Sequence, residues 1–79
     1  MQVRIKLIDI FRDYLPPDAE GPNFTLDVAE DAVTADIFSI LGIPDDLPRV
    51  VLYNHRIITK TQRLSDGDVI AIFSPVFGG

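Results

Sequence analysis

Hydrophobic and polar residues change period several times along this chain, and each change marks an element. Val3, Ile5 and Leu7 alternate with Arg4 and Lys6, so residues 2–8 predict a strand with one buried face. Ile10, Phe11, Tyr14 and Leu15 then fall at helical spacing and predict a short helix, which Pro16-Pro17 ends. Residues 17–23, with Gly21-Pro22, read as a surface loop. Phe24, Leu26 and Val28 alternate with Thr25 and Asp27, which predicts a second strand antiparallel to the first.

The next segment carries the marks of a capped helix. Thr34 is the expected N-cap, since its hydroxyl can accept an otherwise unpaired amide of the first turn. Asp36 places negative charge where the helix dipole favours it. Val33 and Phe38 would form a hydrophobic staple, and Ile37, Ile40 and Leu41 are expected to face the core. Gly42 suits the left-handed residue that closes a helix, and Pro44 prevents its continuation. Val50 to Tyr53 and Arg56-Ile57-Ile58 read as two strands joined by a tight Asn54-His55 turn. Ser65-Asp66-Gly67-Asp68 is a strong turn signal. Val69 to Phe73 is a continuous apolar run, expected to be a central strand covered on both faces.

Strand, short helix, strand, main helix and three strands, with the first and last strands adjacent and parallel, is the order of the β-grasp (ubiquitin-like) fold. The expected class is α+β: a mixed sheet of about five strands with one helix packed across it. Residues 1–73 would form the domain and 74–79 an extended tail. The 79 residues allow one core and leave little room for a deep catalytic cleft. A 47% hydrophobic content fits a folded domain.

Composition narrows the chemistry. Without cysteine there is no disulfide scaffold, thiolate metal site or cysteine nucleophile. A net charge of -5 disfavours nucleic acid and anionic membranes as partners and suits a basic protein surface. No apolar run approaches the roughly 20 residues of a membrane helix. The alternating N-terminus is unlike a secretory signal, so the expected location is the cytoplasm. His55, with no second ligand nearby, reads as a surface residue. Asp45-Asp46 and Asp66-x-Asp68 lack the ligand count of a calcium loop and are explained by turns, while Lys6 and Lys60 read as solvated residues. Ser39, His55 and an aspartate have no spacing that supports a catalytic triad.

The tail Ser74-Pro75-Val76-Phe77-Gly78-Gly79 carries the candidate chemistry. Fully extended, six residues span roughly 20 Å, enough to reach into a partner's active site. Two terminal glycines pass through a narrow channel and adopt backbone angles closed to other residues. The terminal carboxylate is ionised at neutral pH and can act as a nucleophile. Phe73 is divided evenly between core and interface, whereas Phe77, with Pro75 and Val76, is expected to face a partner.

These features resemble the ubiquitin-like sulfur carriers, which include the small subunit of molybdopterin synthase and the thiamine-pathway carrier. The resemblance covers the chain through Val3-Arg4-Ile5-Lys6-Leu7, Ala32-Val33-Thr34-Ala35-Asp36-Ile37, Leu41-Gly42-Ile43, Val51-Leu52-Tyr53-Asn54 and Leu64-Ser65-Asp66-Gly67-Asp68-Val69. Its most specific part is Ile72 to Gly79, where Phe-x-Pro-Val-x-Gly-Gly is more similar to the molybdopterin-synthase small subunit than to the thiamine carrier. Phe77 stands where that family usually has a small residue, and His55 where it usually has glycine. The resemblance implies that an adenylyltransferase related to ubiquitin-activating enzymes consumes ATP to activate Gly79. It further implies that a sulfur donor protein converts Gly79 to a thiocarboxylate, and that Gly78 and Gly79 enter a larger subunit holding the catalytic residues. The chain would bind no cofactor and would not be catalytic alone. A carrier for thiamine or another sulfur-containing metabolite, a protein modifier conjugated through Gly79, and a regulatory or RNA-binding module are the alternatives.

Overall fold

The computed structural model describes residues 1–75. Five strands form one sheet: β1 (Gln2–Leu7), β2 (Asn23–Asp27), β3 (Val50–Tyr53), β4 (Arg56–Ile58) and β5 (Val69–Phe73). Their order is β2-β1-β5-β3-β4, and a single helix, α1 (Thr34–Leu41), lies between β2 and β3 in sequence. β1 and β5 run parallel, with Ile5 opposite Ile70 and Leu7 opposite Ile72. The remaining pairs are antiparallel. This is the β-grasp arrangement expected from the order of the elements.

Alternation sets the core. Val3, Ile5 and Leu7 of β1 and Ile70 and Ile72 of β5 point to one face and are fully buried. Ile37 of α1, with Phe11, Ile43, Val51 and Leu64, completes that layer. The helix buries a narrower stripe than its apolar content implies. Thr34 and Ile37 are buried and Phe38 and Leu41 half-buried, whereas Ile40 is 52% exposed. At 3.6 residues per turn the stripe runs through 34, 37, 38 and 41, and Ile40 falls beyond its edge.

Val33, not Thr34, is the N-cap of α1. The Thr34 hydroxyl is drawn inward, where it accepts the Gln62 amide at 3.0 Å and meets the Thr61 hydroxyl at 3.1 Å. Thr61 in turn accepts the Ala35 amide at 3.1 Å, so a segment distant in sequence supplies the capping oxygen. Asp36 accepts the Val33 amide at 2.9 Å. Because the cap moves back one residue, Ala32 and Ile37, both buried, take the staple positions assigned above to Val33 and Phe38. At the other end Gly42 is left-handed (φ 75°), and the Ile43 amide donates to Phe38 and the Gly42 amide to Ser39 in a Schellman closure.

The predicted helix after β1 is a 3₁₀ helix over Asp9–Tyr14. Three residues per turn bring Phe11, buried, and Tyr14 to the same side with ring centroids 6.5 Å apart, and leave Ile10 exposed. β5 is central as expected but is covered on one face only: Ile70 and Ile72 are buried, while Val69, Ala71 and Phe73 are half-buried on the other. One helix cannot cover both faces of a five-stranded sheet, and the described residues place no second layer there.

Candidate functional site

The candidate site is the end of β5 and the chain that leaves it. Positioning begins at the start of that strand. Asn54 and His55 both have positive φ (48° and 72°), as the two central residues of a type I′ hairpin turn require. The turn sets Asn54 beside Val69, and the two exchange bonds: the Asn54 amide donates to the Val69 carbonyl at 2.8 Å, and the Val69 amide to Asn54 Oδ1 at 2.7 Å.

Asp68, buried, holds the same corner. Its carboxylate accepts the Tyr53 hydroxyl at 2.7 Å, Asn54 Nδ2 at 3.0 Å and the Ser65 amide at 2.7 Å. Burial pushes the Asp68 carboxyl up, but the bonds from Asn54, Tyr53 and Ser65 together outweigh it and hold the group below its ordinary value. The hydrogen bond to Asp68, then burial, then the carboxylate's charge raise the Tyr53 phenol. The Ser65-Asp66-Gly67-Asp68 turn, with Gly67 at φ 85°, is tied to β1 by the Gly67 amide donating to the Gln2 carbonyl and the Gln2 amide to Asp66.

β5 then runs between two neighbours to Phe73, which lies opposite Val50. Phe73 is half-buried on the uncovered face, Ser74 is half-buried and Pro75 is exposed. Val76, Phe77, Gly78 and Gly79 lie outside the described residues.

The uncovered face carries features that the sequence reading did not assign to a site. Arg4 and Lys6 of β1 lie opposite Val69 and Ala71, and Leu52 of β3 is opposite Ala71 on the other side. With His55 they line a groove of about 400 Å³. Leu52 is in turn opposite Ile57 of β4, which is 69% exposed. Alternation in β1 puts Arg4 and Lys6 on the solvated side of that strand, and the signal for a surface is the unbroken apolar run of β5 beside them. Among the described residues no group of three His, Cys, Asp or Glu side chains could hold a metal, and His55 is exposed in its turn. Nor is any described helix long and apolar enough to cross a membrane.

A sequence model of the ThiS family matches residues 18–79, which includes the main helix, β2 to β5 and the tail. The chain belongs to the ThiS family. No match was found among curated proteins. Among solved structures, this ThiS-family chain is similar over its full length to SAMP1 from Haloferax volcanii, at 22% identity, with a TM-score of 0.74 and 100% of both chains covered. It is similar to a putative molybdopterin converting factor subunit 1 from Pyrococcus furiosus (21% identity, TM-score 0.72), covering 95% of this chain and 98% of that one. It is also similar, at 27% identity and a TM-score of 0.62 over 100% of both chains, to a chain in the complex of subunits 1 and 2 of molybdopterin-converting factor from Helicobacter pylori 26695. These likenesses agree with the ubiquitin-like fold derived above, and the last neighbour is held in a complex with a second subunit.

Proposed function

We propose that this chain is a sulfur carrier whose working group is the carboxylate of Gly79. The observation that carries the reading is the membership of the ThiS family over a segment that includes the Gly78-Gly79 tail, joined to a central strand that ends just before it. A Gly79 carboxylate oxygen attacks the α-phosphorus of ATP; a P–O bond forms and pyrophosphate leaves, giving an acyl-adenylate. Hydrosulfide then attacks the carbonyl carbon and AMP leaves, giving the thiocarboxylate. A protein persulfide does the same once a second thiol cleaves the resulting sulfur–sulfur bond. An adenylyltransferase related to ubiquitin-activating enzymes performs the first step, and a sulfur donor protein serves the second.

The acceptor in this reading is a molybdopterin precursor, with the chain acting as the small subunit of molybdopterin synthase. The Phe73-Ser74-Pro75-Val76-Phe77-Gly78-Gly79 pattern and the likeness to a chain complexed with a second converting-factor subunit support it. The catalytic residues then belong to the larger partner, and the uncovered sheet face of Arg4, Lys6, Leu52, Val69 and Ala71 is where that partner rests. Pro75, Val76 and Phe77 lead the two glycines into its channel.

The test is the intact mass after incubation with ATP, a sulfur donor and a competent activating enzyme. A gain equal to exchanging one oxygen for one sulfur, lost on deletion of Gly79, is the expected result. No gain, with the enzyme active on another carrier, would overturn the reading. Covalent adducts through Gly79 to lysines of other proteins would instead establish the modifier reading, which shares the first step.

A further inference from the structure

Charge is divided unevenly along this chain. Residues 47–64 hold Arg49, Arg56, Lys60 and Arg63, four of its seven Lys and Arg, and none of its twelve Asp and Glu. The fold brings part of that segment to a cleft of about 440 Å³ between α1 and the β3–β4 edge, on the opposite side of the sheet from the groove already described. Phe38, Val51 and Ile58 line it with apolar surface, and Arg49 and Lys60 are cations at its rim. The Arg49 guanidinium lies 4.3 Å from the centre of the Phe38 ring and donates to the Leu47 and Pro44 carbonyls, so its position is fixed. A guanidinium has further N–H donors, and among the described residues these have no partner. Nor, among the described residues, does any carboxylate lie within ion-pair distance of Arg49, Arg56, Lys60 or Arg63.

The cleft also borders a free sheet edge. β4 is the last strand in the order, so one side of it has no neighbouring strand among the described residues. Its two-residue turn closes on the Tyr53–Arg56 pair, which makes Arg56 and Ile58 the residues that bond to β3. The Ile57 amide and carbonyl therefore point outward, and Ile57 also borders the cleft. β3 begins at Val50, β4 ends at Ile58 and Val51 is opposite Ile58, so Arg49 and Lys60 lie at the same end of the strand pair. An unpaired strand edge, an apolar hollow and two cations are thus within reach of one extended segment.

We propose that the cleft and the β4 edge receive an extended acidic peptide of a partner protein. Its backbone pairs with Ile57, an apolar side chain enters between Phe38, Val51 and Ile58, and neighbouring carboxylates meet Arg49 and Lys60. Charge favours this occupant. A stretch without acids on a molecule of net charge -5 attracts a negative segment here and repels it from most of the remaining surface, which fixes where it lands. A second copy of this chain would instead pair β4 with β4 and bring two edges of like charge together. The surface lies on the other side of the sheet from the Arg4, Lys6 and Leu52 groove, and the docking does not rest on the sulfur-carrier reading.

The test is a nuclear magnetic resonance titration of the full-length isotope-labelled chain with a synthetic peptide. The peptide has a valine-phenylalanine-valine centre flanked by a pair of aspartates on each side. The expected result is saturable shifts of the amides of residues 34–38 and 56–61, with those of β1 in place, and binding that weakens as salt rises. The same peptide with lysines for aspartates should shift none of them. Ile57→Pro removes the outward donor and leaves the bonds to β3, and Lys60→Glu reverses one rim charge. Each should weaken binding by about tenfold or more while the β1 amides keep their positions. No saturable shift, equal binding of the lysine peptide, or wild-type binding by both variants would overturn the proposal. Cleft amides that shift with concentration in the free chain would also overturn it, by assigning the edge to a second copy. So would stronger binding of the same residues to phosphatidylglycerol vesicles, which would assign the cleft to an anionic membrane. None of these outcomes bears on whether Gly79 accepts sulfur, which the mass measurement decides separately.

Discussion

The Tyr53 phenol donates to the buried Asp68 carboxylate at 2.7 Å and so joins the end of β3 to the start of β5. Asp68 has three donors and, among the described residues, no cation. A buried carboxylate held only by hydrogen bonds depends on all of them. Its carboxyl lies below the ordinary value when folded, so its contribution to stability is present above the unfolded value, near 3.9, and is lost as pH falls through the lower folded value. Tyr53→Phe removes one donor and should cost about 1 kcal/mol at neutral pH. It should also raise the pH of acid unfolding, as read by circular dichroism.

The Tyr53 phenol behaves in the opposite sense. Its value is raised on folding, so its contribution is complete below the unfolded value, near 10, and is lost as pH rises through the higher folded one. Stability of the wild type should fall above about pH 10, and that fall should be smaller in Tyr53→Phe. Urea unfolding at several alkaline pH values measures it.

Ile37 and Ile40 separate what a helical period can say from what a packed interface decides. Both are apolar and three residues apart, and both were expected in the core. Ile37→Ala should cost about 2–5 kcal/mol through the cavity it leaves. Ile40→Ala, at a half-exposed position, should stay within about 0.5 kcal/mol of wild type. Urea midpoints for the two variants decide the matter.

Most of the architecture was legible because each element carries its own local signal: alternation in β1 and β2, Gly42 after α1, Asn54-His55 between β3 and β4. What failed depended on tertiary context. The Thr34 hydroxyl turned toward Gln62, and no local rule foresees that Thr61 would cap the helix instead. Phe11 and Tyr14 were placed on one side correctly, but a six-residue segment between strand and proline cannot reveal whether its turns are α or 3₁₀. The run Val69 to Phe73 marked a central strand, yet whether its second face is covered depends on how many layers the chain can supply. That is why the groove of Arg4, Lys6 and Leu52 has no local signal in the sequence.

The hairpin turn offers a stabilising change. His55 occupies a left-handed conformation that costs a residue with a Cβ roughly 1–2 kcal/mol. His55→Gly relieves this but adds freedom to the unfolded chain, so a net gain of about 0.5 kcal/mol is expected. Thermal unfolding should show a rise of a few degrees, about 2–4 °C for a domain of this size.

The uncovered face should tolerate change without loss of fold. Arg4→Glu with Lys6→Glu, both exposed, should leave stability within about 1 kcal/mol of wild type. In the proposed reading this face rests on the larger subunit, so the same pair should change the rate of association at low salt, by an amount that shrinks as salt rises, and leave it unchanged if the face is not the interface. Surface plasmon resonance at two ionic strengths reads both.

The place of β5 in the sheet also determines how the domain bears a load. If the tail is drawn into a partner's channel as proposed, it pulls on a strand whose four register pairs with β1 and four with β3 lie on both sides of it. Traction along that axis must shear both ladders at once, whereas a tail on an edge strand would peel one bond at a time. In the proposed reading the domain would then act as a stopper: a partner would hold the last residues under tension at its reacting centre while the body outside stays folded.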